Sequence, residues 1–357
     1  MENFAMNTKK LRDLYIKFVA PFTSIKFAKS AVDVALEDSY YPECKMKSKC
    51  TRIIENIGWL IKNKEPNLFY NLYGLDLCTQ RNQYDYLGTF PFCITRGDAN
   101  KIKTPESQVC LLRDKLLFYE FMTFNHLPVP TVLAIVENRK VLDLQHNEKE
   151  DSFIRGLTDY FVKDQCGECA SFVRHVEDYR QFESILPDLS GKYIIQSAIK
   201  QCEQLDRLNA HAINTIRMVT VQKNSEIVVF CVNLRIGTKN SKCVDNMAAG
   251  GIAVGINEDG TLKKDGYIKP GFAGGGRIWK HPDTNVLFEG FQIPHYADAV
   301  EMAKKAHRCF SGIHSIGWDI AICDTGPVFI EGNDNWEISG LQACNGPLKE
   351  KWRALLK

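Results

Sequence analysis

The stretch Gly317–Asn333, GWDIAICDTGPVFIEGN, constrains this chain more than any other. Two apolar runs, 316–322 and 327–331, flank Cys323-Asp324-Thr325-Gly326, and together they read as two strands of one hairpin. Side chains on a strand alternate, so Glu331 and Asn333 share a face, and hairpin pairing brings Asp319 to that same face. Two acids on neighbouring buried strands repel each other unless a cation or a proton lies between them. Two carboxylates and an amide suit a hard cation such as Mg²⁺, whose remaining ligand is commonly phosphate. For Glu331 and Asn333 alone, a polar strand end capping the next turn is the favoured reading.

Composition narrows the partners. The 357 residues are 45% hydrophobic and 25% charged, the balance of a globular chain with room for two or three cores. A formal charge of +2 provides no basic excess for nucleic acid. No apolar run approaches the roughly 18 residues of a transmembrane helix. The N-terminus, MENFAMNTKKLRDLYIKFVAPF, has no uninterrupted apolar core of a signal peptide, so a cytoplasmic location is expected. The 13 cysteines are odd in number and scattered, which suits reduced thiols. The single C-x-x-C, Cys166 to Cys169, lacks the second pair of a zinc site.

Residues 1–105 read as a mainly helical extension. Leu11, Leu14, Tyr15 and Phe18 recur at helical spacing beside Lys9, Lys10, Arg12 and Lys17. That segment either packs on its own protein or associates peripherally with an anionic membrane. Residues 71–86 are rich in aromatics and turn formers and read as an irregular lid or interface. A helix is expected from Asp114 to Asn125, with Asp114 as its cap and Pro128 and Pro130 beyond its end. Strands are expected near 131–136, 159–164, 170–174 and 193–197, then at 215–222 and 226–236 as a hairpin, and at 250–256. A helix follows at 297–310, with Ala297, Val300, Ala303 and Ala306 on one face. Hairpins mixed with helices indicate an α+β chain, not alternating βαβ units.

No P-loop and no dinucleotide fingerprint occurs. Lys163 instead ends a strand and leads into a short loop with Gly167, and Lys115 opens a helix. Either lysine alone is ordinarily a solvated surface residue. Arg217 and Arg235 sit inside strands otherwise made of Val, Ile, Phe and Met, so each must be paired or face a polar site. Asn246 precedes Ala248-Ala249-Gly250-Gly251, where backbone amides could approach an anion.

Taken in order, these segments resemble the ATP-grasp superfamily, in its sugar-transfer-associated branch, which is related to α-L-glutamate ligases. RDKLLFYEFMTFNHLPVP, YFVKDQCGECASFV, YIIQSAI, TIRMVTV, VVFCVNLRIG, VDNMAAGG and GWDIAICDTGPVFIEGN carry the resemblance over residues 110–345. NLYGLD near the N-terminus and HPDTNVLFEGFQIPHY also look like this branch. The resemblance implies an ATP-grasp fold, with an extension at 1–105, a lysine-bearing half at 106–195 and a metal-bearing half at 196–357. It implies nucleotide contacts at Lys115, Lys163, Gly167, Gln196, Ile199 and Asn246, and catalytic roles for Arg217 and Arg235. It places one or two Mg²⁺, with Mn²⁺ as an alternative, on Asp319, Glu331 and Asn333. The activity implied is a carboxylate–amine ligase working through an acyl phosphate, on small molecules such as a sugar acid in surface-polysaccharide assembly. A small-molecule kinase, or a non-catalytic nucleotide-binding partner of a glycosyltransferase, is the alternative. The chain lacks an acid after Gln196, which leaves Glu203 and Asp206 as candidates for the ribose. His281 reads as a structural histidine or as a base, and Trp336 as part of an acceptor pocket.

Overall fold

The structure is a computed structural model that describes residues 20–356 except 80, 104, 105, 168–171, 242, 243, 273 and 311. The basic segment around Leu11 to Phe18 lies outside the described residues. Helices α1 (Ala20–Leu36), α2 (Lys49–Asn63) and α3 (Thr89–Lys103) make the N-terminal region helical, as expected. Ser48 starts α2 by accepting from the Thr51 amide, and Lys64 ends it in the left-handed region at φ 61°.

Residues 71–86 hold no regular element beyond the 3₁₀ turn Gln83–Asp85. Residues 71–77, Gln83 and Tyr86 are buried, while 78, 79, 81, 82, 84 and 85 are exposed, so the first half of the stretch is packed and is not a loose lid. Tyr70, Leu72, Tyr73 and Leu75 share a core with Ala253, Tyr267 and Cys344, at least 178 positions further along the chain. Of the two expectations for this stretch, lid or interface, the structure realises the interface.

Two antiparallel sheets follow. Helix α4 (Lys115–Phe124) leads into β1 (Val132–Glu137), β2 (Lys140–Leu142), β3 (Tyr160–Asp164), β4 (Val173–Val176), helix α5 (Tyr179–Ile185) and β5 (Lys192–Ser197). These five strands run in the order β2-β1-β5-β3-β4. Their core is Ala134, Val136, Tyr160, Val162, Phe182 and Ile195.

The second sheet comprises β6 (Thr215–Lys223), β7 (Glu226–Ile236), β8 (Ile252–Ile256), β9 (Leu262–Ile268), β10 (Gly276–Ile278), β11 (Ser315–Cys323) and β12 (Gly326–Asn333). Helix α6 (Tyr296–Cys309) lies between β10 and β11 in the chain, and α7 (Ser339–Asn345) and α8 (Lys349–Leu356) follow β12. The order is β10-β9-β8-β7-β6-β11-β12. Every strand pair is antiparallel, so the chain is α+β.

Helix α6 packs with Ala299, Ala303, Ala306 and Tyr296 in a large core with Ile216, Met218, Ile316, Trp318 and Ile320. Ala297, expected on that face, is exposed, because the observed stripe runs through 296, 299, 303 and 306. Another core joins Phe92, Trp336 and Trp352 to Val219, Val221 and Phe230. Strand β9 escaped the sequence reading because LKKDGYI carries three consecutive charges. Its burial alternates only until Gly266, after which both faces are covered.

Candidate active site

The hairpin of β11 and β12 pairs Asp319 directly with Glu331 and Gly317 with Asn333, and an irregularity follows Asp319. Gly332 sits between the two polar residues because no side chain fits there. A Cβ would meet Leu112 Cδ2 at 2.9 Å and Trp318 Cζ3 at 3.0 Å. On the other side of β11, Asp319 pairs with Arg217 of β6, and β6 pairs Thr215 with Arg235 of β7. Four adjacent strands therefore set Arg235, Arg217, Asp319 and Glu331 across one face of the sheet.

Asp319 is 1% exposed and receives Arg217 Nε at 2.5 Å and Arg217 Nη2 at 3.0 Å, with Arg235 Nη2 at 3.2 Å. Burial alone would raise its pKa, but Arg217 and Arg235 overcome that and hold it well below the ordinary carboxylate value. Glu331 shifts the other way, raised by burial and then by the charge of Asp319. Asn333 Nδ2 donates to Glu331 Oε1 at 3.1 Å. Arg235 also donates to Asp245 Oδ1 at 2.8 Å, and Asp245 takes the Thr215 amide at 3.0 Å. Asp245 is a site residue that the sequence reading missed. Nothing local marks it, since its partners lie on two distant strands.

Lys163 comes from β3 of the other sheet, and Lys115 from the start of helix α4 beside it. Asp114 caps α4 by accepting from the Leu116 and Leu117 amides, and holds Gln165 Nε2 at 2.8 Å. This ties the loop after β3 to the start of the helix. Lys115 Nζ donates to the carbonyls of Asp164 at 2.9 Å and Gly167 at 2.7 Å. Lys163 Nζ donates to Gln196 Oε1 at 2.8 Å. Burial lowers the Lys163 pKa to about 8; the charge of Glu331 opposes the shift and that of Lys115 adds to it.

A cavity of about 600 Å³ opens where the two sheets face each other. Lys115, Lys163, Gly167, Ile199, Arg217, Arg235, Asn246, Asp319, Glu331 and Asn333 all line it. Gln196 lies behind Lys163, in an adjoining space of about 100 Å³ shared with Lys115, Glu331 and Asn333. Glu203 and Asp206 are not on the lining; they sit on a short helix, Glu203–Asp206, whose carboxylates do not reach the cavity wall. His281 is fully buried away from it, bonded to the Gly237 carbonyl at 2.9 Å, and is structural. Cys169 lies outside the described residues. Trp336 lines the cavity, and so do Trp59, Asn67, Phe69 and Tyr73 of the N-terminal region, which NLYGLD alone had hinted at.

The donor set fits a hard divalent cation. Asp319, Glu331 and Asn333 supply only oxygen ligands, and the raised Glu331 carboxyl beside a charged Asp319 is relieved by positive charge placed between them. Among the described residues no group of three or more His, Cys, Asp or Glu could hold a metal, and the set here is two carboxylates and an amide. Arg235 Nε and Asn246 Oδ1 are buried without hydrogen-bond partners.

No curated protein matches the chain significantly. Among solved structures, an L-amino acid ligase from Bacillus licheniformis is 13% identical with a TM-score of 0.44, over 74% of this chain and 53% of that one. A D-Ala:D-Ser ligase from Enterococcus faecalis is 12% identical with a TM-score of 0.44, over 70% and 63%. An N5-carboxyaminoimidazole ribonucleotide synthetase from Thermotoga maritima is 14% identical with a TM-score of 0.37, over 64% and 43%. The chain spans roughly half the length of these proteins. Among the described residues no helix is long and apolar enough to cross a membrane. The family described as sugar-transfer associated ATP-grasp matches residues 172–351, half of the chain, and the protein belongs to that family and has its fold.

Proposed function

We propose that this chain is an ATP- and Mg²⁺-dependent carboxylate–amine ligase that forms an amide through an acyl phosphate. The observation that carries this reading is the row Arg235, Arg217, Asp319 and Glu331, facing Lys115 and Lys163 across one cavity. Phosphoryl transfer needs positioning and charge neutralisation more than covalent help. Lys115 and Lys163 neutralise the nucleotide phosphates from one side of the cavity. Arg235 offers its unpartnered Nε to the transferred phosphate, and Arg217 fixes the Asp319 carboxylate. Asp319, Glu331 and Asn333 would hold Mg²⁺, which lowers the charge on the phosphates when bound. Gly167, Ile199, Gln196 and Asn246 shape the nucleotide pocket, and seating the substrates between the two sheets limits the access of water to the acyl phosphate. The lysine-bearing half spans 106–195, the metal-bearing half 196–357, and 1–105 is the extension.

The substrate we infer is a sugar acid or amino acid of surface-polysaccharide biosynthesis; the family description adds to this only an association with sugar transfer. Consumption of ATP and exposed thiols at Cys44, Cys50, Cys78 and Cys166 suit the cytoplasm. The test is thermal unfolding with ATP, with and without Mg²⁺, on the wild type and on Glu331→Gln. The expected result is a Mg²⁺-dependent rise in Tm that the variant loses, followed by phosphate release that depends on an amine. A stable phosphorylated product formed without an amine would make the protein a kinase, and no shift with any nucleotide would refute the reading.

A further inference from the structure

The polar face of the hairpin does not stop at β12. Glu331, Asn333, Asn335 and Glu337, at every second position, all line the cavity. Arg113 and the N-terminal region hold this prolongation in place. Arg113 grips Asp334 at 2.9 and 2.7 Å, Arg96 hydrogen-bonds the Asn335 side chain and the Trp336 carbonyl, and the Phe92 ring lies 4.9 Å from that of Trp336.

Beside Glu337, Tyr73 donates its hydroxyl to the Ser339 carbonyl at 3.2 Å. Its ring stacks between Phe69 at 5.6 Å and Tyr86 at 4.6 Å. Glu65 and Phe69 line the cavity with them. The Tyr73 phenol is driven well above its ordinary value, first by burial and then by the charge of Glu337, with Glu65 adding to it. Both carboxylates therefore act on this one ring.

Between this end and the arginines sits Asn233, the register partner of Arg217. It is 3% exposed and lines the cavity, and its Oδ1 has no hydrogen-bond partner. The cavity is thus divided. Lys115, Lys163, Arg217 and Arg235 make one end cationic, and the other joins two carboxylates, a buried unsatisfied acceptor and stacked rings. Lys269, just after β9, is the one further cation among the described lining residues.

We propose that this second end is the amine subsite, that it binds a protonated primary amine with an apolar, ring-sized body, and that Glu65, Glu337, Phe69 and Tyr73 set its specificity. The proposal rests on the ligase reading and assigns to residues outside the family-matched segment, Glu65, Phe69 and Tyr73, the choice of acceptor. An ammonium gains both from carboxylate partners and from the negative faces of aromatic rings. Glu337 already accepts from the Ser339 and Gly340 amides, which fixes its carboxylate at the cavity wall.

The test uses the whole protein and three probes of one shape: 2-phenylethylamine, 2-phenylethanol and phenylacetate, each titrated calorimetrically. The amine is expected to bind about tenfold or more tightly than the alcohol or the acid. Glu65→Gln and Glu337→Gln should each weaken the amine about tenfold, and Phe69→Leu should weaken it through the body. Glu337→Gln also touches the start of α7, so for both variants a loss of amine affinity counts only where the Tm stays at that of the wild type. Equal binding of the three probes, or an unchanged amine affinity in Glu65→Gln, overturns the subsite while leaving the nucleotide site standing. A wild type that shows no Mg²⁺-dependent ATP shift refutes the ligase reading itself, and an amine substrate with it.

Discussion

Asp319→Asn keeps the shape of the side chain and removes its charge, which isolates what that carboxylate does for the fold. Asp319 is 1% exposed, and the Arg217 and Arg235 side chains that it holds are 13% and 16% exposed. Removing one partner of a buried ion pair costs about 3–5 kcal/mol, because the remaining charge stays out of water. Both guanidiniums border the cavity, and Arg235 keeps Asp245, so the lower end applies, about 3 kcal/mol. Unfolding entropy of about 2.1 cal/mol/K per residue, over 357 residues, turns this into a fall in Tm of roughly 4 °C. Calorimetry or a urea titration in the absence of nucleotide measures it. The double variant Asp319→Asn/Arg217→Met should recover part of the loss, since it leaves one fewer unpaired cation. A single variant that melts within about 1 °C of wild type would refute the argument that this carboxylate balances the arginines.

Other consequences can be measured separately. His307 is buried between Thr220 Oγ1 at 2.7 Å and the Ile313 carbonyl at 2.8 Å, and burial pushes its pKa down to about 4. The unfolded chain takes up this proton near 6.5, so the contribution is complete above that pH and falls by about 3 kcal/mol between pH 6.5 and 4, a slope that His307→Asn should lose in urea unfolding. Lys163 titrates near 8 when no phosphate is bound. Affinity for ATP should therefore drop by up to about tenfold per unit above pH 8, and Lys163→Arg should flatten the profile in calorimetric titrations. Gly332→Ala forces a methyl against Leu112 and Trp318 and should destabilise by about 1–3 kcal/mol, read as a lower urea midpoint with unchanged slope.

Much of the scaffold was legible because its causes are local. Asp114 announces α4 by capping it, and Cys323-Asp324-Thr325-Gly326 joins two apolar runs in a hairpin, although the irregularity that sets Asp319 opposite Glu331 in place of Ile330 was not legible. Arginines inside apolar strands signalled a polar site before any geometry was known, since an unpaired buried charge is too costly to keep. What those arginines touch was not legible. Asp319 reaches them through strand pairing and Asp245 from the loop between β7 and β8, and the acids occupy donors that sequence reading alone would have assigned to phosphate.

The N-terminal wall shows the same limit more sharply. Tyr73 meets Ser339 across 266 positions, and Arg96 meets Trp336 across 240. Residues 71–86 contain no periodic pattern, so their burial depends on the sheet face offered by Ala253 and Tyr267. Sequence by itself determined most of the strands, the Asp114 cap and the polar residues of the β11–β12 hairpin, because backbone geometry and charge burial act over a few residues. Only the tertiary structure decided which surfaces close the cavity and where its acidic end lies, because contacts between remote segments exist only once both sheets have formed.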